Sequence, residues 1–450
     1  MINKRLHQRT SIGSPAPALL PTPNRPKLRT PMSDQAAPPA PYSPQPHRAW
    51  RECAQCGLIS HLPARRPGFV ADCPRCLHAL WPMQRHHHSF PLACAFAGLV
   101  FYIFAVTAPF LEISAYGRFA LARLVTGPSQ LLAQGFGAVA ELVFAVTLIF
   151  PVAKLGILII TLSGLQILPR PWLRALFRLY VPLSPWAMID VYLLGFLVAY
   201  TRLTATAEVH LDTALFALIG CMLATAAADG SLDHEAVWST LDGTIAGPPA
   251  PDGVTMGCHR CHALLTARPG QACPRCGTVL HPRQPHAISR AWSLTIASAF
   301  LYIPANIYPF MAFTKFARTQ DFTIMHGIIE LAQVGLWPLA LLVFFASITI
   351  PLVKLLTMTY ILTATHTGSP DHLLLRTRAW RVLDFIGRWS MIDVFMVSIL
   401  VALLRFGQFA NVRANLGALC FACVVVLTMF AVSQFDPRLM WDAAEDDQTP

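Results

Sequence analysis

Two copies of one phrase, "WAMIDVY" at 186–192 and "WSMIDVF" at 389–395, each place an aspartate in otherwise apolar sequence. A carboxylate is costly in an apolar medium, so its repeated use requires a partner or a function. Of the 450 residues, 54% are hydrophobic and only 13% are charged, against roughly 25% charged in a typical soluble protein. This composition predicts a polytopic membrane protein.

Eight apolar stretches are long enough to cross a bilayer as helices. Four of them carry no charged residue, and the other four contain or end at single charges. The uncharged stretches are 89–111, 291–314, 331–353 and 416–435, and the others are 136–162, 187–201, 213–228 and 390–404. We therefore predict eight transmembrane helices.

An internal repeat with an offset of 200 residues determines the predicted architecture. The segment "FYIFAVTAPF" at 101–110 matches "LYIPANIYPF" at 301–310, and "FPVAKL" at 150–155 matches "IPLVKL" at 350–355. Each half then has four spans, and an even number of spans keeps both halves in the same orientation. The predicted fold class is an all-α polytopic membrane protein with eight transmembrane helices in two parallel four-helix repeats, each preceded by a small cytoplasmic zinc-ribbon (β) module.

The predicted domains follow this repeat. They are a disordered proline-rich leader (1–48), zinc ribbon 1 (49–88), transmembrane unit 1 (89–230), a linker (231–254), zinc ribbon 2 (255–286), transmembrane unit 2 (287–436) and an acidic cytoplasmic tail (437–450). Eleven prolines within residues 1–46 are typical of disorder. We expect the tail to be solvated.

Arginines cluster on one side of the predicted spans. Seven of them follow the second and sixth spans, namely Arg170, Arg174, Arg178, Arg376, Arg378, Arg381 and Arg388, whereas the loops after the first and seventh spans hold few. By the positive-inside rule, the two termini, both cysteine modules and segments 164–186 and 364–388 are predicted to be cytoplasmic. The net charge of +11 is then explained by topology and does not indicate a nucleic-acid partner.

Eight of the twelve cysteines form four Cys-x-x-Cys pairs, in two sets of two. The sets are Cys53, Cys56, Cys73 and Cys76, and Cys258, Cys261, Cys273 and Cys276. Four thiolates complete a tetrahedral zinc shell with no open position, so we predict two structural zinc sites. The predicted cytoplasmic location disfavours disulfides, and a redox-active pair normally follows a strand of a βαβ unit, which the sequence lacks.

Other cysteines and histidines fit less specific interpretations. Cys94, Cys221, Cys420 and Cys423 lie in predicted spans and are interpreted as packing residues. Three histidines directly precede the first span, namely His86, His87 and His88. They could bind a metal ion or form a basic segment at the membrane interface, and the second interpretation is favoured.

Ionisable residues recur within the predicted spans. Lys354 comes late in the inward-running sixth span and Asp393 early in the outward-running seventh, so both are expected at similar depth and to pair. Ser347 and Ser390 share helix faces with these charges, and Thr428 is a further polar residue of the eighth span. We predict that these five residues form a proton relay for transport. A buried ion pair that only sets helix register is the alternative.

The first half repeats the pattern with fewer hydroxyl groups. It has Thr147, Pro151, Lys154 and Asp190, but Ala187 stands where the second half has a serine. Asp190 and Lys154 are therefore predicted to be a structural counterpart pair.

Together, the paired cysteine modules, "FPVAK"/"IPLVK" and the repeated W-x-M-I-D-V resemble the paraquat-inducible protein A (PqiA/LetA) family, over about residues 50 to 435. The resemblance implies a protein of the bacterial inner membrane that works with an MCE-domain protein forming a tunnel across the periplasm. It implies movement of lipid between the inner and outer membranes, with the proton-motive force as driver. The chain contains no Walker motif, in agreement with the absence of a nucleotide site.

Two functions of different classes follow. The first is the inner-membrane subunit of an MCE-type lipid transport system, with the Lys-Asp-Ser network as its proton path. The second is a non-transporting membrane scaffold or envelope-stress sensor whose zinc ribbons dock cytoplasmic proteins. Neither cysteine module leaves room for a catalytic domain, so we do not expect an enzyme.

Overall fold

The computed structural model describes residues 50–61, 71–81, 89–115, 118–165, 167–204, 208–241, 254–315, 318–403 and 410–446. The predicted leader, the histidine run 86–88 and residues 242–253 of the predicted linker lie outside the described residues.

Ribbon 1 (50–81) consists of two short hairpins, each with antiparallel strands. The strands are β1 (Trp50–Glu52) with β2 (Ile59–His61), and β3 (Ala71–Asp72) with β4 (Ala79–Trp81). Each hairpin reverses direction at a Cys-x-x-Cys pair.

The first unit (89–241) is mostly helical. Its elements are α1 (Ser89–Thr107), β5 (Leu111–Ala115), β6 (Arg118–Ala122), α2 (Thr126–Ala133), α3 (Gly137–Phe144), α4 (Phe150–Gly164), α5 (Arg170–Leu183), α6 (Ile189–Thr204), β7 (Glu208–Leu211), α7 (Thr213–Ser231) and α8 (His234–Leu241). A π-helical segment, Ala145–Ile149, joins α3 to α4. Helix α1 packs along α7.

The second unit (287–446) follows ribbon 2 (254–280), whose strands are β8 (Val254–Gly257) and β9 (Leu264–Ala267). Its elements are α9 (Ala287–Ile307), β10 (Met311–Lys315), β11 (Arg318–Phe322), α10 (Ile324–Gln333), α11 (Trp337–Phe344), α12 (Ile350–His366), α13 (Leu373–Gly387), α14 (Ile392–Leu403), β12 (Ala410–Ala414), α15 (Leu416–Gln434) and α16 (Leu439–Asp446). A π-helical segment, Phe345–Thr349, joins α11 to α12, and α9 packs along α15.

Within the described residues, seven helices are long and apolar enough to cross a membrane, so the chain is a mostly helical, multi-pass membrane protein. They span Ser89–Thr107, Gly137–Gly164, Arg170–Thr201, Thr213–Ser231, Trp337–His366, Leu373–Ala402 and Leu416–Gln434. The predicted fifth span falls on α9, which has 21 residues but is less apolar than these seven. The count of eight stays a prediction.

The membrane units also contain strands, so the prediction of all-α units is wrong in this respect. In each unit a central strand, β5 or β10, has an antiparallel neighbour on both sides and forms a three-stranded sheet. The predicted spans 89–111 and 291–314 were expected to stay helical into these strands. Pro109 and Pro309 end the helices earlier, because proline has no amide hydrogen and disfavours helical backbone at the residue before it.

The predicted linker and the predicted solvated tail each contain a short helix, α8 and α16. Trp238 and Trp441, 203 positions apart, are buried at their centres. The indole of Trp441 donates to Thr377 Oγ1 over 3.2 Å, and the ring of Trp238 packs edge-on to Phe177. The expectation of a solvated tail is therefore wrong for Met440, Trp441 and Ala444, which are buried, whereas Glu445 is exposed.

The ribbons dock crosswise on the two units. Arg381 of α13, in the second unit, donates to Cys76 O of ribbon 1 (2.9 Å) and to Gln55. Arg178 of α5, in the first unit, donates to Cys276 O of ribbon 2 (3.4 Å). The second cysteine pair of each ribbon thus contacts the unit that does not follow it directly in the chain.

One buried carboxylate joins the two ribbons and α16. The Glu52 side chain of ribbon 1 is 5% exposed, and its Oε1 accepts from Arg283 (3.1 Å) and Arg438 (2.9 Å). The backbone N–H of Gly257 in ribbon 2 donates to Oε2. A Cβ at residue 257 would lie 2.8 Å from that oxygen, so this approach requires glycine. Asp436 and Asp442 complete the charge balance by pairing with the two arginines.

Replacement of Glu52 by alanine is expected to lower the free energy of unfolding by about 3 kcal/mol, because two arginines lose a shared buried partner. The matched control is Glu445→Ala, which removes a 61% exposed carboxylate paired with Arg75 and is expected to cost less than about 1 kcal/mol. Thermal unfolding of both purified variants in one detergent provides the comparison. Equal shifts would contradict a central role for Glu52.

Candidate metal centres and membrane polar cluster

The four cysteines of each ribbon come together as predicted from their spacing. The Sγ atoms of Cys53 and Cys76 are 3.5 Å apart, as are those of Cys56 and Cys73. In ribbon 2 the corresponding distances are 3.5 Å for the Cys258–Cys276 pair and 3.7 Å for the Cys261–Cys273 pair. Within each set all four sulfurs lie within 4.8 Å of one another and are buried.

A recurring turn aims each cysteine pair at its partner pair. The N–H of Cys53 donates to Leu58 O, and the Cys53 carbonyl accepts from the N–H of Gly57. The other three pairs repeat both bonds. The fourth residue after the first cysteine has a positive φ each time, and the residues are Gly57, Leu77, His262 and Gly277. This left-handed residue bends the backbone around the two thiols.

The sulfur positions fit one metal ion per ribbon. A tetrahedral centre with metal–sulfur bonds of about 2.3 Å separates its sulfurs by about 3.8 Å, close to the observed contacts. All twelve cysteines are free of disulfides. The hydrogen bond between the two thiols lowers the pKa of Cys258 and raises the pKa of Cys261, so one thiol stabilises the thiolate of the other. Each cluster can therefore hold a metal ion with all four positions filled by protein.

In the second unit, the ammonium group of a buried lysine donates hydrogen bonds to three other residues of the unit. Lys354 of α12 is 2% exposed, and its Nζ donates to Ser390 Oγ (3.0 Å), Gly387 O (3.2 Å) and Thr428 Oγ1 (3.5 Å). Three of the five predicted relay residues thus make direct contacts. The sequence prediction did not include the carbonyl of Gly387.

The other two predicted relay residues are also buried. Asp393 lies in the first turn of α14, one helical turn after Ser390. Ser347 lies in the π-helical segment, and within the described part of the chain its Oγ takes no hydrogen-bond partner. The direct Lys354–Asp393 pair stays a prediction, as does the relay role of all five residues.

Helix α14 lies between the two units. Every residue from 391 to 402 is buried, and α14 packs against α6 of the first unit. A Cβ on Gly195 of α6 would lie 3.0 Å from that of Phe395, so the helices cross in close contact. Asp393 is therefore enclosed by protein, whereas its counterpart Asp190 is only half-buried.

Two tyrosines that the sequence analysis did not single out support the π-helical segments. Tyr302 donates to Ile348 O (3.1 Å), and Tyr102 donates to Thr147 O (2.7 Å) and Leu148 O (3.1 Å). Pro151 has no amide hydrogen to donate to Thr147 O four residues earlier, and the phenol hydroxyl of Tyr102 replaces that donor. Tyr302 binds the neighbouring π-helical segment at the next carbonyl along the chain. The signal was present, because both tyrosines lie in the repeated segments at 101–110 and 301–310.

Lys154 has a different partner from the one predicted. Its Nζ pairs with Asp229 of α7 at 2.5 Å, and Tyr180 donates to the same carboxylate at 2.7 Å. The predicted Lys154–Asp190 pair is therefore wrong. Asp229 is 37% exposed near the end of its helix, so its carboxylate keeps part of its hydration.

Comparison with known proteins gives a consistent result. The model of the family described as paraquat-inducible protein A matches residues 89–242 and 288–445. The intermembrane transport protein PqiA of Escherichia coli K12 is 30% identical over 411 residues, covering 88% of this chain and 96% of that protein. The lipophilic envelope-spanning tunnel protein A of the same strain is 29% identical, covering 89% and 93%. A probable intermembrane transport protein of Haemophilus influenzae is 27% identical, covering 87% and 95%. No solved structure matches the chain.

We expect Asp229→Asn to lower the thermal unfolding midpoint more than Asp190→Asn, because only Asp229 neutralises the buried ammonium of Lys154. Both changes keep side-chain size, and both sites lie in the first unit, so the pair is matched. Unfolding in detergent, followed by tryptophan fluorescence, measures the difference. A larger decrease of the midpoint for Asp190→Asn than for Asp229→Asn would instead support the predicted pair of Lys154 with Asp190.

Crosswise docking predicts crosswise effects of losing a metal site. Replacing Cys73 and Cys76 by serine should unfold ribbon 1 and remove the acceptor of Arg381, so amide exchange should rise in α13 and not in α5. Replacing Cys273 and Cys276 should do the reverse. Hydrogen–deuterium exchange read by mass spectrometry separates the two helices. A rise in α5 after the loss of ribbon 1, or in α13 after the loss of ribbon 2, would contradict the docking.

Proposed function

Because the chain belongs to the paraquat-inducible protein A family, we propose that it is the inner-membrane subunit of a system that moves lipids between the inner and outer membranes of a bacterium. The names of its relatives, which refer to intermembrane transport and to an envelope-spanning tunnel, support this function. The partner in the proposal is an MCE-domain protein that forms the periplasmic tunnel.

The observation that carries the proposal is the buried ammonium of Lys354. An ionisable group inside a membrane protein is expensive, and its default interpretation is a functional site. The counterpart Lys154 reaches a partly exposed carboxylate, as expected of a structural residue. Lys354 instead donates to two hydroxyl groups and a carbonyl, and one of the hydroxyl groups belongs to Ser390, one helical turn before the buried Asp393. This asymmetry supports a working site in the second unit.

In the proposed mechanism, proton exchange at Asp393 and Lys354 alters the contacts between three helices. Lys354 ties α12 to the start of α14 and to Thr428 of α15. Loss or gain of a charge there changes the strength of these hydrogen bonds, so the helices can separate and expose a path for lipid. Moving one charge across the membrane supplies about 2.3 kcal/mol per 100 mV, enough to shift such an equilibrium.

The ribbons in this proposal carry zinc and face the cytoplasm, and the two three-stranded sheets face the periplasm. Helix α1 leads from ribbon 1 to the first sheet, so ribbons and sheets belong to opposite ends of the spans. Four buried thiols at tetrahedral spacing favour zinc. Two parallel four-helix repeats, with α9 as the eighth span, are supported by the π-helical segments and sheets that recur at an offset of 200 residues.

The test is lipid transfer from proteoliposomes that contain the protein and its MCE-domain partner to acceptor vesicles, with and without an imposed pH gradient. Asp393→Asn and Lys354→Met should abolish gradient-dependent transfer while protein yield and metal content stay normal. Asp190→Asn is the matched control and should transfer lipid normally.

A second variant separates transport from a structural role. If Lys354→Met combined with Asp393→Leu transfers lipid as the wild type does, the pair only sets helix register, and the proposed relay is wrong.

A further inference from the structure

A buried arginine in α13 has unused hydrogen-bond donors. Arg376 is 1% exposed, and its Nη2 donates to the carbonyls of Ser369 and Asp371 in the loop before the helix. Within the described part of the chain, its Nε and Nη1 have no hydrogen-bond partner, and no carboxylate lies within ion-pair distance. A guanidinium buried in this way is costly unless an acceptor is supplied.

A second donor lies one helical turn further along. Trp380 follows Arg376 by four residues, so both side chains lie on the same face of α13. The indole Nε1 of Trp380 is also buried, and it too takes no partner within the described residues.

The first unit shows that the fold does not require these donors. Arg178 and Arg381 occupy equivalent places, because each donates to the carbonyl of the last cysteine of a ribbon. At the same offset of 203, Leu173 corresponds to Arg376 and Phe177 to Trp380. Both first-unit side chains are fully buried and apolar. Where the first unit has two apolar packing residues, the second unit therefore has two hydrogen-bond donors, and one of them, Arg376, is positively charged.

We propose that Arg376 and Trp380 bind the phosphate group of an anionic phospholipid at the ribbon end of the second unit. A planar guanidinium matches phosphate oxygens in pairs, and an indole N–H adds a third donor. The lipid can approach from the side, because the apolar side chains of Leu375, Val382 and Phe385 on α13 are more than half exposed. The exposed loop 369–372 covers the guanidinium, so its displacement gives the headgroup access. The proposal names the cargo class and so rests on the proposed function.

The experiment measures binding of phosphatidylglycerol to the purified full-length protein in neutral detergent by native mass spectrometry, with uncharged diacylglycerol and inorganic phosphate as parallel probes. Arg376→Leu and Trp380→Phe install the residues of the first unit, and Arg378→Leu removes an exposed arginine of the same helix as a matched control. Arg376→Leu should weaken phosphatidylglycerol binding by roughly tenfold or more, and Trp380→Phe by roughly threefold. Arg378→Leu should leave it unchanged.

Unchanged binding by Arg376→Leu would overturn the site, as would diacylglycerol binding as tight as that of phosphatidylglycerol. If inorganic phosphate binds as tightly as phosphatidylglycerol and displaces it, the assignment of a lipid as the ligand is wrong. If Arg376→Leu does not fold, Arg376→Lys keeps the charge without the paired geometry and should still weaken binding. Asp393→Asn should bind phosphatidylglycerol normally while losing transfer, so failure of the transport proposal and failure of this site give different results.

Discussion

The carboxylate of Glu52 is the interaction on which the ribbon end of the molecule depends. It accepts hydrogen bonds from Arg283, Arg438 and the backbone of Gly257, so it connects ribbon 1, ribbon 2 and the entry to α16. A buried carboxylate is stable only when its lone pairs are satisfied and its charge is balanced. All of its partners must therefore be correctly placed together, which couples both ribbons to the second unit.

Crosswise docking extends that coupling to the first unit. Glu235 of α8 pairs with Arg51 of ribbon 1 and Arg275 of ribbon 2, so this short helix of the first unit contacts both ribbons. The two units meet again within the spans, where α14 crosses α6. The two units are thus connected in two separate places, through the ribbons and at the crossing of α14 with α6, and the enclosed Asp393 lies on α14. A relative movement of the halves would have to disturb both connections.

Much of the architecture could be predicted from the sequence, because the deciding patterns are local. The cysteine spacing alone indicated both clusters, and the proximity of Lys354 to Ser390 followed from depth along antiparallel helices, whereas Thr428 was included only as a further polar residue of its span. Depth alone could not choose between Asp190 and Asp229 as the partner of Lys154, because that choice depends on lateral packing. The strands were missed because short apolar runs do not distinguish a helix end from a strand. Helix α16 was missed because its acidic composition suggested a solvated tail, although Trp441 occupies the position equivalent to Trp238 of α8.

Crosswise docking also imposes an order on biogenesis. Glu52 and Arg438 are separated by 386 residues, yet they form one buried contact. At a synthesis rate of about 5 to 20 residues per second, Glu52 leaves the ribosome roughly 20 to 80 s before Arg438. During that interval ribbon 1 lacks its docking surface in the second unit. Its four cysteines lie within 24 residues of one another and can hold a metal ion, and a ligand set that is local in sequence can form without the rest of the chain.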